Sequence, residues 1–231
     1  MNKRRFSVFQ IIVHLGGWAP LVVIIYKFLS NDLTANPIQA IEQRTGLTAL
    51  TFLMLSLACT PFSSILGWKE LTRRRKALGN YGFMYAFIHL VTFVGLDYGF
   101  NFRSIWRDVG TKSYILVGLL AFVLLLPIAI TSFNFWIKRL GKKWKRLHTL
   151  VYIISPLVVF HFLLVVKGNL TRLQGDLVRP MIYGAIVLLL LILRIPHVKK
   201  SLIRFRRWIQ GSARKVLSNL KAPKLILFIQ P

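Results

Sequence analysis

The sequence predicts an all-α integral membrane protein: a six-helix transmembrane bundle with both termini in the cytoplasm. Composition and the placement of charge predict it. Of 231 residues, 55% are hydrophobic and 16% charged, whereas soluble domains run at roughly 45–50% and about 25%. The 32 Lys and Arg against 6 Asp and Glu leave a net charge of +26. In a soluble chain that excess would point to nucleic acid. Here the bases fall in clusters between long apolar runs, the arrangement that sets membrane topology.

A helix needs about 20 mostly apolar residues to cross about 30 Å of hydrocarbon, and six segments qualify: 8–29, 46–67, 77–99, 113–137, 147–166 and 180–196. The first follows Lys3-Arg4-Arg5 but is too long for the apolar region of a signal peptide and lacks a small-x-small cleavage site, so it reads as a retained anchor. The sixth is short, and Arg194 near its end must snorkel to the interface. Basic residues number 3 at the N-terminus, 5 between segments two and three, 6 between four and five, and 10 from Arg194 onward, against 8 on the other side. Both termini therefore face the cytoplasm. Residues 1–198 form the membrane domain, and 199–231 form a basic tail. In that tail Leu202, Phe205, Trp208 and Ile209 recur at helical spacing, which suits either an amphipathic helix on the membrane surface or a solvated tail.

Several functions are excluded. The single cysteine, Cys59, allows no intrachain disulfide and no thiolate metal cluster. There is no GxGxxG after a strand and no Walker loop, hence no nucleotide-binding fold. The longest stretch free of an apolar run is the 35-residue tail from His197, too little for a soluble catalytic domain. Chemistry must therefore lie within the bundle.

An ionisable side chain at membrane depth is costly and so marks a functional candidate. His89 lies 12 residues into the third segment, about 18 Å from the cytoplasmic side at 1.5 Å per residue. His148 starts the fifth segment, and His161 lies 13 residues further on, about 20 Å outward. His89 and His161 thus share a depth on different helices, as two axial ligands of one haem iron would, while His148 sits alone near the inner face. On an ideal helix His161 points about 140° away from His148; Pro156 between them can shift the phase. Arg75 lies 14 residues before His89 on nearly the same helical face. A guanidinium has no lone pair for iron but suits a carboxylate such as a haem propionate; the alternative is a topology charge only. His14, beside Gly16-Gly17, reads as a satisfied core histidine or as lining a quinone or haem pocket. Trp144 would pack on a porphyrin or sit in the interfacial aromatic belt.

The run Leu140-Gly141-Lys142-Lys143-Trp144-Lys145-Arg146-Leu147-His148 continuing to Tyr152, the run Arg74-Arg75-Lys76-Ala77-Leu78-Gly79 leading to His89-Leu90, and Asn36-Pro37-Ile38 with Thr45-Gly46-Leu47-Thr48-Ala49-Leu50 resemble the MsrQ (YedZ) family of the ferric reductase-like transmembrane superfamily. The likeness spans residues 10 to 197. It implies a six-helix haem b protein of the bacterial inner membrane, with one or two haems. Such a protein carries electrons from the quinone pool, or from reduced flavin, to a periplasmic molybdopterin enzyme of the MsrP type that reduces methionine sulfoxide in damaged proteins. It further implies that His89, His148 and His161 are haem-iron ligands. Many relatives have another histidine where Arg75 stands, so Arg75 is a propionate contact or marks the position of an inner-haem ligand. FMN is linked to the family but maps to no motif here. Two other readings remain: a stand-alone ferric or quinone reductase, and a non-redox transporter or scaffold.

Overall fold

The structure, a computed structural model, describes residues 7–166 and 176–221, the last eight by backbone alone. Among the described residues all regular structure is helical. Five helices are long and apolar enough to cross a membrane, and six spans result if one bent pair counts as a single span.

Helix α1, Val8–Leu29, begins where expected because the Ser7 hydroxyl accepts from the Gln10 amide at 3.2 Å. At its middle the Tyr85 hydroxyl donates to the Gly17 carbonyl at 2.8 Å and accepts from the Leu21 amide at 3.0 Å, the two groups that an α-helix pairs with each other. Helix α2 spans Pro37–Leu66, nine residues ahead of the expected start at 46. Asn36 caps Gln39, and proline at the first helical position needs no N–H partner. Hydropathy alone missed this polar turn. Pro61 cannot serve the Leu57 carbonyl, which Arg194 takes instead through Nη2 at 2.6 Å.

Helix α3, Lys69–Thr92, also starts earlier than the expected 77, so Arg75 is helical; a wide π turn, Phe93–Asp97, ends it. The outer connection contains an unforeseen helix, α4, Phe102–Thr111. Helix α5, Ser113–Ile130, stops short of the expected 137. There the Thr131 and Ser132 hydroxyls satisfy the carbonyls of Pro127 and Ile128 at 2.6 and 2.8 Å. Two short helices follow, α6 (Asn134–Leu140) and α7 (Lys142–Leu147), then a 3₁₀ turn, His148–Leu150, and α8, Val151–Val165.

Helix α9, Val178–Ile192, is only 15 residues long, about 22 Å at the helical rise. It turns by 81° into α10, Pro196–Lys221. The boundary expected at 198/199 therefore falls inside a continuous helix. Arg206 pins α10 to the end of α2 by donating to the Ile65 carbonyl at 3.0 Å. Residues 222–231 and most of the outer connection 167–179, from 167 to 175, lie outside the described residues, as does the basic stretch at 3–5.

Among the described residues the basic stretches lie together at one end of the bundle, where Lys76 meets Asn134 at 3.4 Å and Arg206 meets the end of α2. Ser7 and Arg74 both bond Glu70, joining the starts of α1 and α3. At the other end Asp108 of α4 accepts from Tyr98 at 2.7 Å and from Lys112 at 2.6 Å. Those two bonds, Lys112 first, hold the Asp108 carboxyl down at about 2. Between the ends, Leu53, Leu125 and Ile154 bring α2, α5 and α8 into one apolar cluster.

Candidate functional site

His89 of α3 and His161 of α8 come together with ring centroids 6.3 Å apart and planes crossed at 75°. Each ring is fixed from behind by a neighbouring helix. His89 Nδ1 bonds the Glu42 carbonyl of α2 at 3.0 Å, and His161 Nδ1 bonds the Tyr114 carbonyl of α5 at 2.8 Å. A carbonyl can only accept, so both Nδ1 atoms carry the proton and each Nε2 keeps its lone pair.

A glycine makes each approach possible. One turn after Glu42 stands Gly46, where a Cβ would lie 3.3 Å from the His89 ring; one turn after Tyr114 stands Gly118, where it would lie 2.7 Å from His161 Cε1. The same device therefore seats both imidazoles against the carbonyl-bearing turn.

His148 is held differently. Its Nδ1 bonds the Trp144 carbonyl of the adjoining α7 at 3.1 Å, and its ring packs on the Trp144 indole at 4.0 Å between centroids. Trp144 Nε1 donates to the Thr131 carbonyl at 2.9 Å, so this tryptophan is a support for His148 tied to the end of α5. His148 Nε2 is buried with no hydrogen-bond partner, a state that costs free energy unless a ligand takes the lone pair. The 3₁₀ turn at His148 adds about 20° per residue to the helical phase. On ideal geometry that alone narrows the offset to His161 from about 140° to about 80°.

Arg75 Nη1 donates to Thr60 Oγ1 at 3.1 Å, and Ser56 Oγ donates to the Arg75 carbonyl at 2.9 Å. The structure thus anchors Arg75 on α2, and no hydrogen bond joins it to His148. His14 is not a core residue: it is exposed on the flank of α1, bonded through Nδ1 to the Tyr81 hydroxyl at 2.9 Å. Among the described residues no three of His, Cys, Asp and Glu converge as a metal cage, so the imidazoles act singly or in pairs. Sequence reasoning missed Gly46, Gly118 and the carbonyls of Glu42 and Tyr114. The signal available was a glycine near the outer start of the span preceding each histidine-bearing span.

Comparison with known proteins gives the family. Residues 45–159, from α2 through most of α8, match the family described as "Ferric reductase like transmembrane component". The chain is 40% identical to the "Protein-methionine-sulfoxide reductase heme-binding subunit MsrQ" of Rhodospirillum rubrum, across 86% of this chain and 93% of that protein. It is 42% identical to the protein of the same description from Herminiimonas arsenicoxydans, over 83% and 86% of the two chains. With the one from Xanthomonas euvesicatoria the identity is 36% over 96% and 97%. Relatives this similar over nearly their whole length share the fold, and the chain, a multi-pass membrane protein, belongs to the MsrQ family of ferric reductase-like transmembrane proteins.

Proposed function

We propose that the chain is a haem b electron conduit of the bacterial inner membrane, the haem-binding subunit of a methionine sulfoxide reductase system. The observation that carries this reading is the shared state of His89, His148 and His161: all three Nδ1 atoms are bonded to backbone carbonyls, leaving three Nε2 lone pairs. The spacing suits the cofactor. An imidazole centroid lies about 1.1 Å from Nε2 and a metal–imidazole bond is about 2.0 Å, so two rings on one iron have centroids about 6 Å apart, against 6.3 Å between His89 and His161. The orphaned Nε2 of His148 suits a second, inner haem.

Bound haem would supply one-electron redox chemistry. His89 and His161 hold the outer group, and the carbonyls of Glu42 and Tyr114 keep their donor nitrogens basic and oriented. His148, stiffened by Trp144, holds the inner one. Arg75, at the basic end, offers a guanidinium to a propionate. In this reading the basic end is cytoplasmic, by the charge bias of the connections. Electrons enter from the quinone pool or a reduced flavin and leave outward to an MsrP-type molybdopterin partner; FMN has no assigned residues.

The test is reconstitution in proteoliposomes. Quinol should reduce the haem, and a periplasmic sulfoxide reductase given methionine-sulfoxide protein should reoxidise it; NADPH alone should not reduce it. Haem reduction without reoxidation by the partner would favour a stand-alone ferric or quinone reductase. A colourless protein would favour a transporter or scaffold.

A further inference from the structure

We infer that the flank of α1 around His14 is a docking site for the headgroup of a membrane-soluble hydroquinone, an assignment that rests on the proposed quinone-pool donor and gives it a place. His14 lies six residues beyond Val8 in α1, about 9 Å into the helix, yet it is exposed on the flank of a helix apolar enough to span a membrane. A polar imidazole turned toward hydrocarbon is costly, and its one hydrogen bond among the described residues accounts for only half of it: Nδ1 meets the Tyr81 hydroxyl at 2.9 Å. Nε2 has no partner within the described residues.

The surroundings hold that imidazole in place and leave it open. At Gly17 a Cβ would fall 2.3 Å from the Tyr81 ring, so only glycine lets Tyr81 lie against α1 with its hydroxyl under His14. Tyr81 itself is buried and packs on Phe52 at 5.6 Å. Trp18, four residues after His14 and therefore one turn along the same flank, is 52% exposed and stands edge-on to Tyr81 at 6.2 Å. Gln10, four residues before His14, carries the polar strip back toward Ser7, whose hydroxyl donates to Glu70 at the basic end at 2.9 Å.

The chemistry narrows the ligand. It must arrive through hydrocarbon, so it is lipid-soluble. It must bring a hydroxyl or carbonyl oxygen to an imidazole nitrogen, which an acyl chain cannot do. At this depth a phospholipid headgroup does not reach. A flat ring with oxygen substituents satisfies His14 and stacks beside the Trp18 indole.

The experiment is photolabelling of the full chain in phosphatidylethanolamine–phosphatidylglycerol nanodiscs with a short-chain azidoquinone, with labelled peptides mapped by mass spectrometry. Label should fall on the 8–29 segment and around Tyr81. His14→Leu should reduce it about tenfold, the equivalent of one hydrogen bond of roughly 1.4 kcal/mol, and His14→Gln should restore part of it. Tyr81→Phe, which leaves the imidazole but frees its orientation, should reduce labelling severalfold. Label elsewhere on the chain, equal label in His14→Leu, or a cross-linked second copy covering this flank would overturn the site. Haem reduction by quinol is followed in parallel. If label falls on α1 while quinol leaves wild-type haem oxidised, the site stands and the donor reading fails. If quinol reduces the haem of His14→Leu at the wild-type rate, the site fails and the donor reading stands.

Discussion

Gly118 stands where any side chain would occupy the space of the His161 imidazole: a Cβ there would lie 2.7 Å from Cε1, with His161 Nδ1 already bonded to Tyr114 one turn earlier at 2.8 Å. Gly118→Ala should therefore push the ring off its carbonyl and cost most of the low-spin haem signal in the visible spectrum. Gly46→Ala, at 3.3 Å from the His89 ring, should act in the same direction more weakly, because a shift of a few tenths of an ångström accommodates it.

Tyr85 supplies a stability prediction. Its hydroxyl bonds both the Leu21 amide and the Gly17 carbonyl of α1, and the ring is fully buried. Tyr85→Phe removes both of those bonds at membrane depth. Thermal unfolding in detergent should show a loss of about 1–3 kcal/mol. An unchanged midpoint would mean that α1 closes its own ladder.

Arg75 separates charge from geometry. Arg75→Lys keeps a cation but not the planar fork, and should retain the inner haem. Arg75→Leu should weaken that haem or lower its potential, since a carboxylate beside the iron would lose its counter-charge. Redox titration of both variants reads the difference, and equal potentials would leave Arg75 as an anchor on Thr60 only.

The outer clamp has a defined pH window. The Asp108 carboxyl is lowered from an ordinary 3.8 to about 2 by Lys112 and Tyr98, so its contribution is fully present above about pH 4 and disappears as pH falls through about 2. Protease sensitivity of the α4 connection should rise across that interval and should already be high at neutral pH in Asp108→Asn.

The apolar cores of the six spans could be read from the sequence because hydropathy and helical rise are local properties. The same rise put His89 and His161 at one depth, and the fold brings those two rings together. What could not be read depends on contacts between helices. Nothing local says that the Glu42 carbonyl, in a polar turn outside the expected helix, backs His89, or that Gly118 clears space for His161. The early starts of α2 and α3 escaped because polar first turns carry no hydropathy signal, although Asn36-Pro37 is a start signal in its own right. For His14 the sequence leaves a core and a pocket reading open, and the structure removes the core one: burial on one flank of a helix that packs mainly on α3 cannot be known before the partner is.

The most direct measurement is the electron paramagnetic resonance spectrum of the oxidised, purified protein together with its His89→Ala and His161→Ala variants. A low-spin signal from two crossed imidazoles should disappear equally in both variants, while a signal assigned to His148 persists. Low-spin haem that survives both substitutions unchanged, or a wild-type protein that binds no haem, would contradict the pairing of His89 with His161.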